Sequence, residues 1–219
     1  MILSIYRALS RAYGPLHWWP ARTRFEVIVG AFLTQNTSWK NVEIALRNLR
    51  RAGALNLDAI RRIPQSELEQ LIRPSGYYRQ KATRLKNFVA YLDERYAGSL
   101  NRMFSRPLEV LRPELLQLNG VGPETADAIL LYAGKLPVFV VDAYAKRVFE
   151  RHRLIKAGEK YEQVRALVET ALKTEEPGSE LAEHYNEFHA QLVQVGKDFC
   201  GTAAKCERCP LQPLLPIRN

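Results

Sequence analysis

Apolar residues recur every three or four positions along most of the chain, which is the period of an amphipathic helix. Glycine, proline and asparagine interrupt this period at Gly53, Pro64, Asn119 and Gly134 and mark the joins between helices. The run 137–141 (PVFVV) is rich in β-branched residues, but it is too short to require a sheet and is predicted to be a buried connector. The predicted fold class is therefore all-α, with helical segments at 25–33, 42–51, 57–62, 67–72, 81–96, 108–116, 124–133, 143–151 and 161–172.

The composition is that of an ordinary globular protein. The chain has 219 residues, of which 47% are hydrophobic and 25% charged, and this length can form one large domain or two small ones. No run of 18 apolar residues is present, and Arg7 and Arg11 interrupt the N-terminal apolar stretch too early for a signal peptide. We expect a cytoplasmic protein with no membrane partner.

The charge is strongly basic and unevenly distributed. The formal net charge is +9, and twelve Lys or Arg residues against six acids lie between Lys40 and Arg95. Such an excess favours a polyanionic partner such as nucleic acid. Ordinary solvated helix faces would give the same pattern, so the charge alone does not decide between these interpretations.

The segment 118–133 (LNGVGPETADAILLYA) carries the densest local signal. Gly120 and Gly122 flank Val121, and Pro123 follows where proline is favoured, at the first residue of a helix. Two glycines so close permit positive φ and leave backbone N–H groups exposed at a helix N-terminus, a geometry that binds phosphate without reading base sequence. The alternative is an αα-hairpin that only packs.

An acidic residue follows this hairpin at the start of another predicted helix. Asp142 stands twenty residues after Gly122, directly after Val140 and Val141. In isolation such a residue is often only an N-cap. Glycosidic hydrolysis, however, needs a carboxylate that stabilises the positive charge developing on the sugar and can accept a proton from the attacking water. Asp142 is therefore a candidate catalytic residue.

Together these features resemble the endonuclease III superfamily, the helix-hairpin-helix DNA glycosylases. The resemblance rests on the hairpin Gly120-Val121-Gly122 and on Asp142. Three further blocks agree in order and spacing, and the resemblance therefore covers nearly the whole chain. These blocks are 25–37 (FEVIVGAFLTQNT), 76–85 (GYYRQKATRL) and 200–211.

The resemblance implies two helical lobes with a DNA-binding cleft between them. Residues 24–133 would form a six-helix barrel that includes the hairpin, and 1–23 with 134–219 would form a second lobe with a C-terminal cysteine loop. Matching positions imply that Asp142 is catalytic, that Gln35 fills the gap left by an extruded base, and that Tyr77 is a second intercalating side chain. A polar helix cap is the alternative for Gln35.

The resemblance also bears on cleavage of the DNA backbone. Superfamily members with lyase activity carry a lysine nucleophile two residues after the second hairpin glycine, where this chain has Glu124. Because glutamate cannot form a Schiff base, the lyase activity is expected to be weak or absent. Lys146, four residues after Asp142 and on the same predicted helix face, is the remaining candidate nucleophile. A phosphate contact or a solvated charge is the simpler interpretation of Lys146.

Aromatic residues indicate a base pocket, because Trp18, Trp19 and Trp39 all lie near the N-terminus. An aromatic ring stacks on a flipped base with about 1–3 kcal/mol, and a positively charged alkylpurine gains cation–π attraction as well. The segment 18–20 (WWP) is similar to the 3-methyladenine glycosylases of the superfamily, which implies an alkylated purine as substrate. Tyr144 and Glu124 would also line the pocket. Core packing is the alternative for the tryptophans, and a mismatched or oxidised pyrimidine is the alternative substrate.

Two features depart from the 3-methyladenine branch. Gln191 stands where those enzymes have a pocket lysine, and a cysteine cluster is retained. Cys200, Cys206 and Cys209 resemble the superfamily's four-cysteine loop, which holds a [4Fe–4S] cluster, but Leu215 stands where the fourth cysteine is expected.

The incomplete cysteine set leaves three alternatives for this loop. It could hold a cluster with a different fourth ligand, it could hold zinc with a histidine such as His184 or His189, or it could bind no metal.

The sequence therefore predicts a monomeric, nucleoid-associated base-excision repair glycosylase that acts on double-stranded DNA with a damaged base. A bifunctional glycosylase and apurinic lyase, and a non-catalytic DNA-binding module, are the alternatives. A pure binding module gains nothing from Asp142, because a carboxylate that faces a polyanion lowers affinity.

Overall fold

The computed structural model describes residues 1–19, 21–173 and 180–216, so that Pro20 of the WWP segment lies outside the described residues. Throughout these ranges the regular structure is helical, with one isolated β-bridge between Cys200 and Ala204. The all-α prediction is confirmed. None of the described helices has both the length and the hydropathy needed to cross a bilayer. The helices are α1 (Ile2–Tyr13), α2 (Arg24–Thr34), α3 (Trp39–Arg51), α4 (Leu57–Arg62), α5 (Gln65–Ile72), α6 (Tyr78–Tyr96), α7 (Leu100–Phe104), α8 (Leu108–Leu116), α9 (Pro123–Ala128), α10 (Ala143–Arg151), α11 (Tyr161–Lys173) and α12 (Leu181–Asp198).

The chain divides into two compact units. The central unit is Trp19–Gly134 and contains α2 to α9, and the terminal unit combines Met1–Trp18 with Lys135–Asn219 and contains α1 and α10 to α12. The boundaries predicted from the sequence, 24–133 against 1–23 with 134–219, stay a prediction. The compact units place residues 19–23 and Gly134 in the central unit.

Helix α2 forms the core of the central unit. Its residues from 25 to 33 are all buried, which requires a helix that is apolar on every side. The exception is Glu26, whose buried carboxylate is paired with the guanidinium of Arg50 on α3. The rings of Phe32 and Phe88, 5.8 Å apart, pack α2 against α6.

A buried lysine fixes the end of α2. Lys81 on α6 is 1% exposed and donates from Nζ to the carbonyls of Leu33, at 2.8 Å, and Ser75, at 2.6 Å. Burial, reinforced by the charge of Arg84, lowers the pKa of Lys81 to about 8. The lysine thereby holds the segment that follows α2, where Gln35 lies, against α6.

Helix α12 forms the core of the terminal unit, where it packs against α10 and α1. Phe188 on α12 lies 5.6 Å from the ring of Phe139 and 6.2 Å from that of Phe149. Residues 138–141 are buried and form no strand. The prediction of a buried connector is therefore confirmed for these four residues.

The predicted helical segments all coincide with helices, and the segment 124–133 corresponds to α9 together with the π-helix Ile129–Ala133 that continues it. Helices α1, α7 and α12 were not predicted. Helix α7 has five residues, which is too short to show a period. Helix α12 buries Asn186, His189 and Gln191, so polar residues interrupt the apolar period on its buried face. In α1, by contrast, Ile2, Ile5 and Leu9 do show helical spacing, and this signal was overlooked.

Candidate functional site

The predicted hairpin is formed by α8, α9 and the loop between them. Gly122 is the N-cap of α9 and Pro123 its first residue. Gly120 has a φ of +79°, in the left-handed region that favours glycine. Gly122 has a φ of −91°, so positive φ is found only at the first hairpin glycine. A β-carbon on Gly122 would meet no atom within 4 Å, which leaves its backbone open to an approaching ligand.

Gln35, the predicted wedge, is bound to this hairpin. Its Nε2 donates to the carbonyl of Gly120 at 3.0 Å and to Oγ1 of Thr125 at 2.9 Å, and Arg84 donates to its Oε1. The residue is also the C-cap of α2. Because the side chain would have to leave these partners to enter a duplex, its role as a wedge stays a prediction.

Tyr77 projects from the N-terminus of α6. It is 64% exposed, which is unusual for so large an aromatic side chain. Its φ of +46° lies in the left-handed region, which residues with a β-carbon rarely adopt. An exposed ring held by a strained turn is typical of a residue that acts on an external partner. Intercalation by Tyr77 stays a prediction.

Helix α9 has no lysine at the position implied for a lyase. Glu124 lies exposed in its first turn, and the helix reads PETADA. Its other acid, Asp127, is fully buried and accepts from Nε of Arg112 at 2.7 Å. This ion pair joins α9 to α8, so Asp127 has a packing role.

Asp142 is the N-cap of α10. Its Oδ1 accepts from the backbone N–H of Ala145 at 2.8 Å, and its Oδ2 lies 3.6 Å from Nε2 of His189 on α12. Burial by itself raises the pKa of Asp142, but the charge of His189 and the N–H groups of Ala145 and Tyr144 outweigh it, and the pKa lies below its ordinary value. The carboxylate is therefore ionised at neutral pH. Its side chain keeps 15% of its surface exposed.

Two other predicted site residues lie on α10. Nζ of Lys146 donates to the backbone carbonyl of Glu159 at 3.1 Å. Tyr144 packs on Gly196 of α12, where a β-carbon would come within 2.4 Å of the tyrosine ring, and the guanidinium of Arg147 lies 5.0 Å from the ring centre. The predicted roles of Lys146 in DNA binding and of Tyr144 in a base pocket are not tested by these contacts.

The three tryptophans do not all belong to one unit. Trp18 belongs to the terminal unit, where Nζ of Lys197 lies 5.1 Å from its ring. Trp19 and Trp39 belong to the central unit, and their rings meet edge to face at 5.3 Å. Tyr132, which the sequence reasoning did not single out, lies 5.0 Å from Trp19. An aromatic cluster of Trp19, Trp39 and Tyr132 is therefore present in the central unit.

Helix α2 packs against the ring of Trp19 in this aromatic cluster. A β-carbon on Gly30 would come within 3.0 Å of the indole of Trp19, so a residue without a side chain lets the ring approach the helix. The indole N–H of Trp19 is buried and makes no hydrogen bond within the described part of the chain. The N–H of Trp39 donates to Oε1 of Glu43 at 3.0 Å.

The three cysteines line one pocket in the C-terminal loop. Cys200 is buried, Cys206 and Cys209 are partly exposed, and all three are free thiols. The same pocket is lined by Leu215, at the expected place of a fourth cysteine, and by His152. Within the described ranges no three Cys, His, Asp or Glu side chains converge in the way that a single metal ion requires.

The end of α10 holds this loop in place. Arg147 donates from Nε to the carbonyl of Cys200 at 2.6 Å, and Arg151 donates from Nη1 to its sulfur at 3.1 Å. Nδ1 of His152 lies within hydrogen-bond distance, 3.1 Å, of the carbonyl of Leu214. One helix thus carries Asp142 at its start and the anchors of the cysteine loop at its end.

Three polar residues of α12 have positions that the sequence could not assign. Neither His184 nor His189, the suggested zinc donors, lines the cysteine pocket. Nδ1 of His184 shares a hydrogen bond with the hydroxyl of Tyr6 at 2.7 Å, whereas His189 faces Asp142. Gln191 is 2% exposed and donates to the carbonyl of Gly14 at 3.0 Å. Gln191 therefore packs α12 against the end of α1.

Several basic side chains of the stretch 40–95 are bound to partners within the central unit. Lys81 and Lys86 donate to backbone carbonyls, and Arg50, Arg61 and Arg95 are paired with acids. The surface charge available to a polyanion is therefore smaller than the composition indicates. Exposed members of the stretch include Lys40, Arg47, Arg51, Arg62, Arg73 and Arg79.

Comparison with known proteins places the chain in a family. Residues 29–174 match the model of the HhH-GPD superfamily base excision DNA repair protein. A protein of Methanocaldococcus jannaschii described as a candidate DNA repair glycosylase is 45% identical over 214 residues, which are 97% of this chain and 94% of that protein. Endonuclease III of Thermotoga maritima is 29% identical over 86% of this chain and 80% of its own length.

A solved structure gives the same result. The 3-methyladenine DNA glycosylase MagIII of H. pylori, bound to 1,N6-ethenoadenine, superimposes with a TM-score of 0.78 and 33% identity, covering 90% of this chain and 97% of that chain. The chain therefore belongs to the HhH-GPD superfamily of base excision DNA repair proteins. The resemblance to the endonuclease III superfamily, drawn from the hairpin and the aspartate, is confirmed.

Proposed function

We propose that this protein is a monofunctional DNA glycosylase that hydrolyses the N-glycosidic bond of a damaged base in double-stranded DNA, with Asp142 as its catalytic carboxylate. The observation that carries the proposal is the state of Asp142, which is ionised and held at a helix start by the N–H of Ala145. A carboxylate in this state can stabilise positive charge on a sugar. We further propose that the protein acts as a monomer, in the cytoplasm and on the nucleoid.

The chemistry assigned to Asp142 is hydrolysis at C1′ of the damaged nucleotide. The bond between C1′ and the base nitrogen breaks, and its electron pair leaves with the base, so the sugar becomes an oxocarbenium-like cation. The negative charge of Asp142 stabilises this cation. A water then attacks C1′ while Asp142 accepts one of its protons, which gives the free base and an abasic sugar.

The hairpin Gly120-Val121-Gly122 is proposed to hold the DNA backbone. Backbone N–H groups at the start of a helix favour a phosphate, and the space at Gly122 allows a close approach. Gln35 and Tyr77 are proposed to occupy the gap left by the extruded base. Such contacts position the DNA without selecting a sequence.

An alkylated purine is the substrate class that we favour. The rings of Trp39 and Tyr132 lie 5.3 Å and 5.0 Å from that of Trp19 in the central unit. Tyr132 is buried, whereas the partly exposed rings of Trp19 and Trp39 offer stacking surface to a base. A cationic alkylpurine gains more from such rings than a neutral base does. The similarity to MagIII points the same way. The pocket roles that the resemblance implies for Trp18, Tyr144 and Glu124 stay predictions.

Backbone cleavage is proposed to be weak or absent. Glu124 occupies the place of the lyase lysine, and the amine of Lys146 is engaged by the carbonyl of Glu159. Without a free amine near the sugar no Schiff base forms, and water is the nucleophile that remains.

The cysteine loop is proposed to hold a [4Fe–4S] cluster through Cys200, Cys206 and Cys209. Thiolates are the donors such clusters use, and three of them line one pocket. Leu215 lines the same pocket at the place of a fourth cysteine, so one iron of such a cluster would need a ligand other than cysteine. When bound, such a cluster would order the loop, and no step of the hydrolysis is assigned to it.

The proposal is tested with duplexes that each carry one lesion: an N-methylated purine, 1,N6-ethenoadenine, thymine glycol or a mismatched thymine. Free base and strand scission are scored separately. We expect base release from the alkylated purines, with scission only after alkaline treatment. Scission without alkali would contradict the monofunctional assignment, and faster release of thymine glycol would contradict the substrate class.

A further inference from the structure

His189 on α12 faces the carboxylate of Asp142. Its Nε2 lies 3.6 Å from Oδ2 of Asp142, and the two side chains are only 8% and 15% exposed. The separation exceeds that of a hydrogen bond, so the interaction is an ion pair when the imidazole is protonated. The pair joins the start of α10 to the middle of α12, two helices that pack directly against each other.

The carboxylate of Asp142 is placed where a charge is costly. A buried carboxylate tends to become neutral unless hydrogen bonds or an opposite charge compensate the lost water. The N–H of Ala145 binds Oδ1, whereas Oδ2 faces the imidazole of His189. Each carboxylate oxygen is thus compensated from a different helix.

The position of His189 is itself fixed by packing. The residue is 6% exposed, and its ring meets that of Phe139 edge to face, with the centroids 6.3 Å apart and an interplanar angle of 80°. Phe139 belongs to the buried connector that leads to Asp142. The same connector therefore orients both the aspartate and the ring that faces it.

We propose that His189 is a positioning residue for Asp142, which holds the carboxylate in the ionised form and the orientation that glycosidic hydrolysis requires. The inference rests on the proposed function of Asp142 and extends it to a second residue. His189 acts through the aspartate and is not assigned contact with the substrate. The lowered pKa of Asp142, to which His189 contributes, is consistent with this role.

Two substitutions of His189 distinguish a role in positioning Asp142 from a role in packing α12. His189→Phe keeps a planar ring against Phe139 but removes Nε2, and His189→Gln keeps a nitrogen donor near the same place. His184→Phe is the matched control, since His184 lies on the same helix but bonds to Tyr6. Each variant is assayed for single-turnover base release from DNA methylated with dimethyl sulfate, for DNA affinity and for Tm.

We expect His189→Phe to slow base release by about tenfold or more while DNA affinity changes by less than about threefold, because the pair acts on a charge and not on binding. His189→Gln should recover part of the rate, and His184→Phe should match the wild type. In an Asp142→Asn background, His189→Phe should cause no further loss, since the group through which it acts is gone.

A measurement that needs no substrate completes the test. The ¹³C carboxyl resonance of Asp142 is titrated in the wild type and in His189→Gln, and the pKa of Asp142 should rise in the variant. If His189→Phe fails to fold, this comparison still decides the question.

The outcomes distinguish the role proposed for His189 from the function proposed for Asp142. Wild-type rates in His189→Phe together with an unchanged Asp142 titration in His189→Gln would overturn the role of His189 alone. Full activity in Asp142→Asn would overturn the proposed function, whatever the titration shows. Equal rate losses in His189→Phe and His184→Phe would mean that both act through stability of α12.

Discussion

Gly120 and Arg84 are packed so closely that a β-carbon on residue 120 would lie 2.0 Å from Nε of the arginine. The same arginine donates to Oε1 of Gln35, whose Nε2 donates to the carbonyl of Gly120. Arginine, glutamine and glycine thus form a closed set of contacts inside the central unit. The hairpin is therefore held in place by side chains from α6 and from the end of α2.

This packing predicts different effects for the two hairpin glycines. Gly120→Ala should lower the free energy of unfolding by about 1–3 kcal/mol, because it combines a left-handed φ with a clash against Arg84. Gly122→Ala should cost less than about 1 kcal/mol, since a β-carbon there meets open space. Urea unfolding of both variants measures this difference.

DNA affinity should rank the two variants differently. In the folded protein at low temperature, Gly122→Ala should weaken binding to undamaged duplex, because the methyl group occupies the proposed path of the phosphate. Equal stability losses in the two variants, or wild-type affinity in Gly122→Ala, would contradict this account of the hairpin.

From the lowered pKa of Lys81 we predict that the protein becomes more stable at alkaline pH. Its pKa of about 8 in the folded protein is below that of an unfolded lysine, so between about pH 8 and 10.5 the unfolded chain binds more protons. The cost of burying the charge is full below pH 8 and is relieved as the lysine is neutralised. The free energy of unfolding of the wild type, relative to Lys81→Met, should increase by about 2 kcal/mol between pH 7.5 and pH 10. Parallel pH curves for the two proteins would exclude a perturbed lysine.

Borohydride trapping tests the absence of a lyase nucleophile. With a duplex from which the wild type releases a base, sodium borohydride should yield little covalent complex, and endonuclease III serves as the positive control. Lys146→Ala should behave like the wild type, because the amine of Lys146 is held by the carbonyl of Glu159. Strong trapping that disappears in Lys146→Ala would show that this lysine leaves its partner and attacks the sugar.

We expect the cluster proposed for the cysteine loop to absorb visible light. Anaerobically purified protein should show a broad absorption band near about 400 nm together with bound iron and sulfide. Replacement of Cys206 by serine should remove the band, and replacement of the exposed Thr202 in the same loop by serine should preserve it. Colourless wild-type protein without iron would contradict the proposed cluster, and the contacts of Arg147, Arg151 and His152 would then stabilise a loop without metal.

The fold could be predicted from the sequence where burial follows the helical period. Segments 57–62, 108–116 and 143–151 match α4, α8 and α10 to the residue. The period fails in α12, because the polar residues Asn186, His189 and Gln191 are buried there. His189 faces Asp142 and Gln191 donates to Gly14, and both partners lie far away along the chain. Long-range polar contacts of this kind leave no local pattern.

The candidate site shows the same contrast. The hairpin and Asp142 could be located because glycine, proline and an acid occur at fixed local spacing. His189 was seen only as a possible metal ligand, since 47 residues separate it from Asp142 and no spacing rule joins them. His152 was missed because its neighbours in the cysteine pocket come from a loop about 50 residues later in the sequence. Tyr132 was missed because a buried aromatic residue in a helix is typical of core packing.

The central claim is that the charge of Asp142 drives base release. Asn keeps the size of the side chain and the helix cap but not the charge. The most direct test is the single-turnover rate at which Asp142→Asn frees methylpurines from DNA methylated with dimethyl sulfate, measured beside DNA affinity. The account predicts a loss of at least about a hundredfold in rate, with affinity kept or increased. Release at the wild-type rate would contradict it.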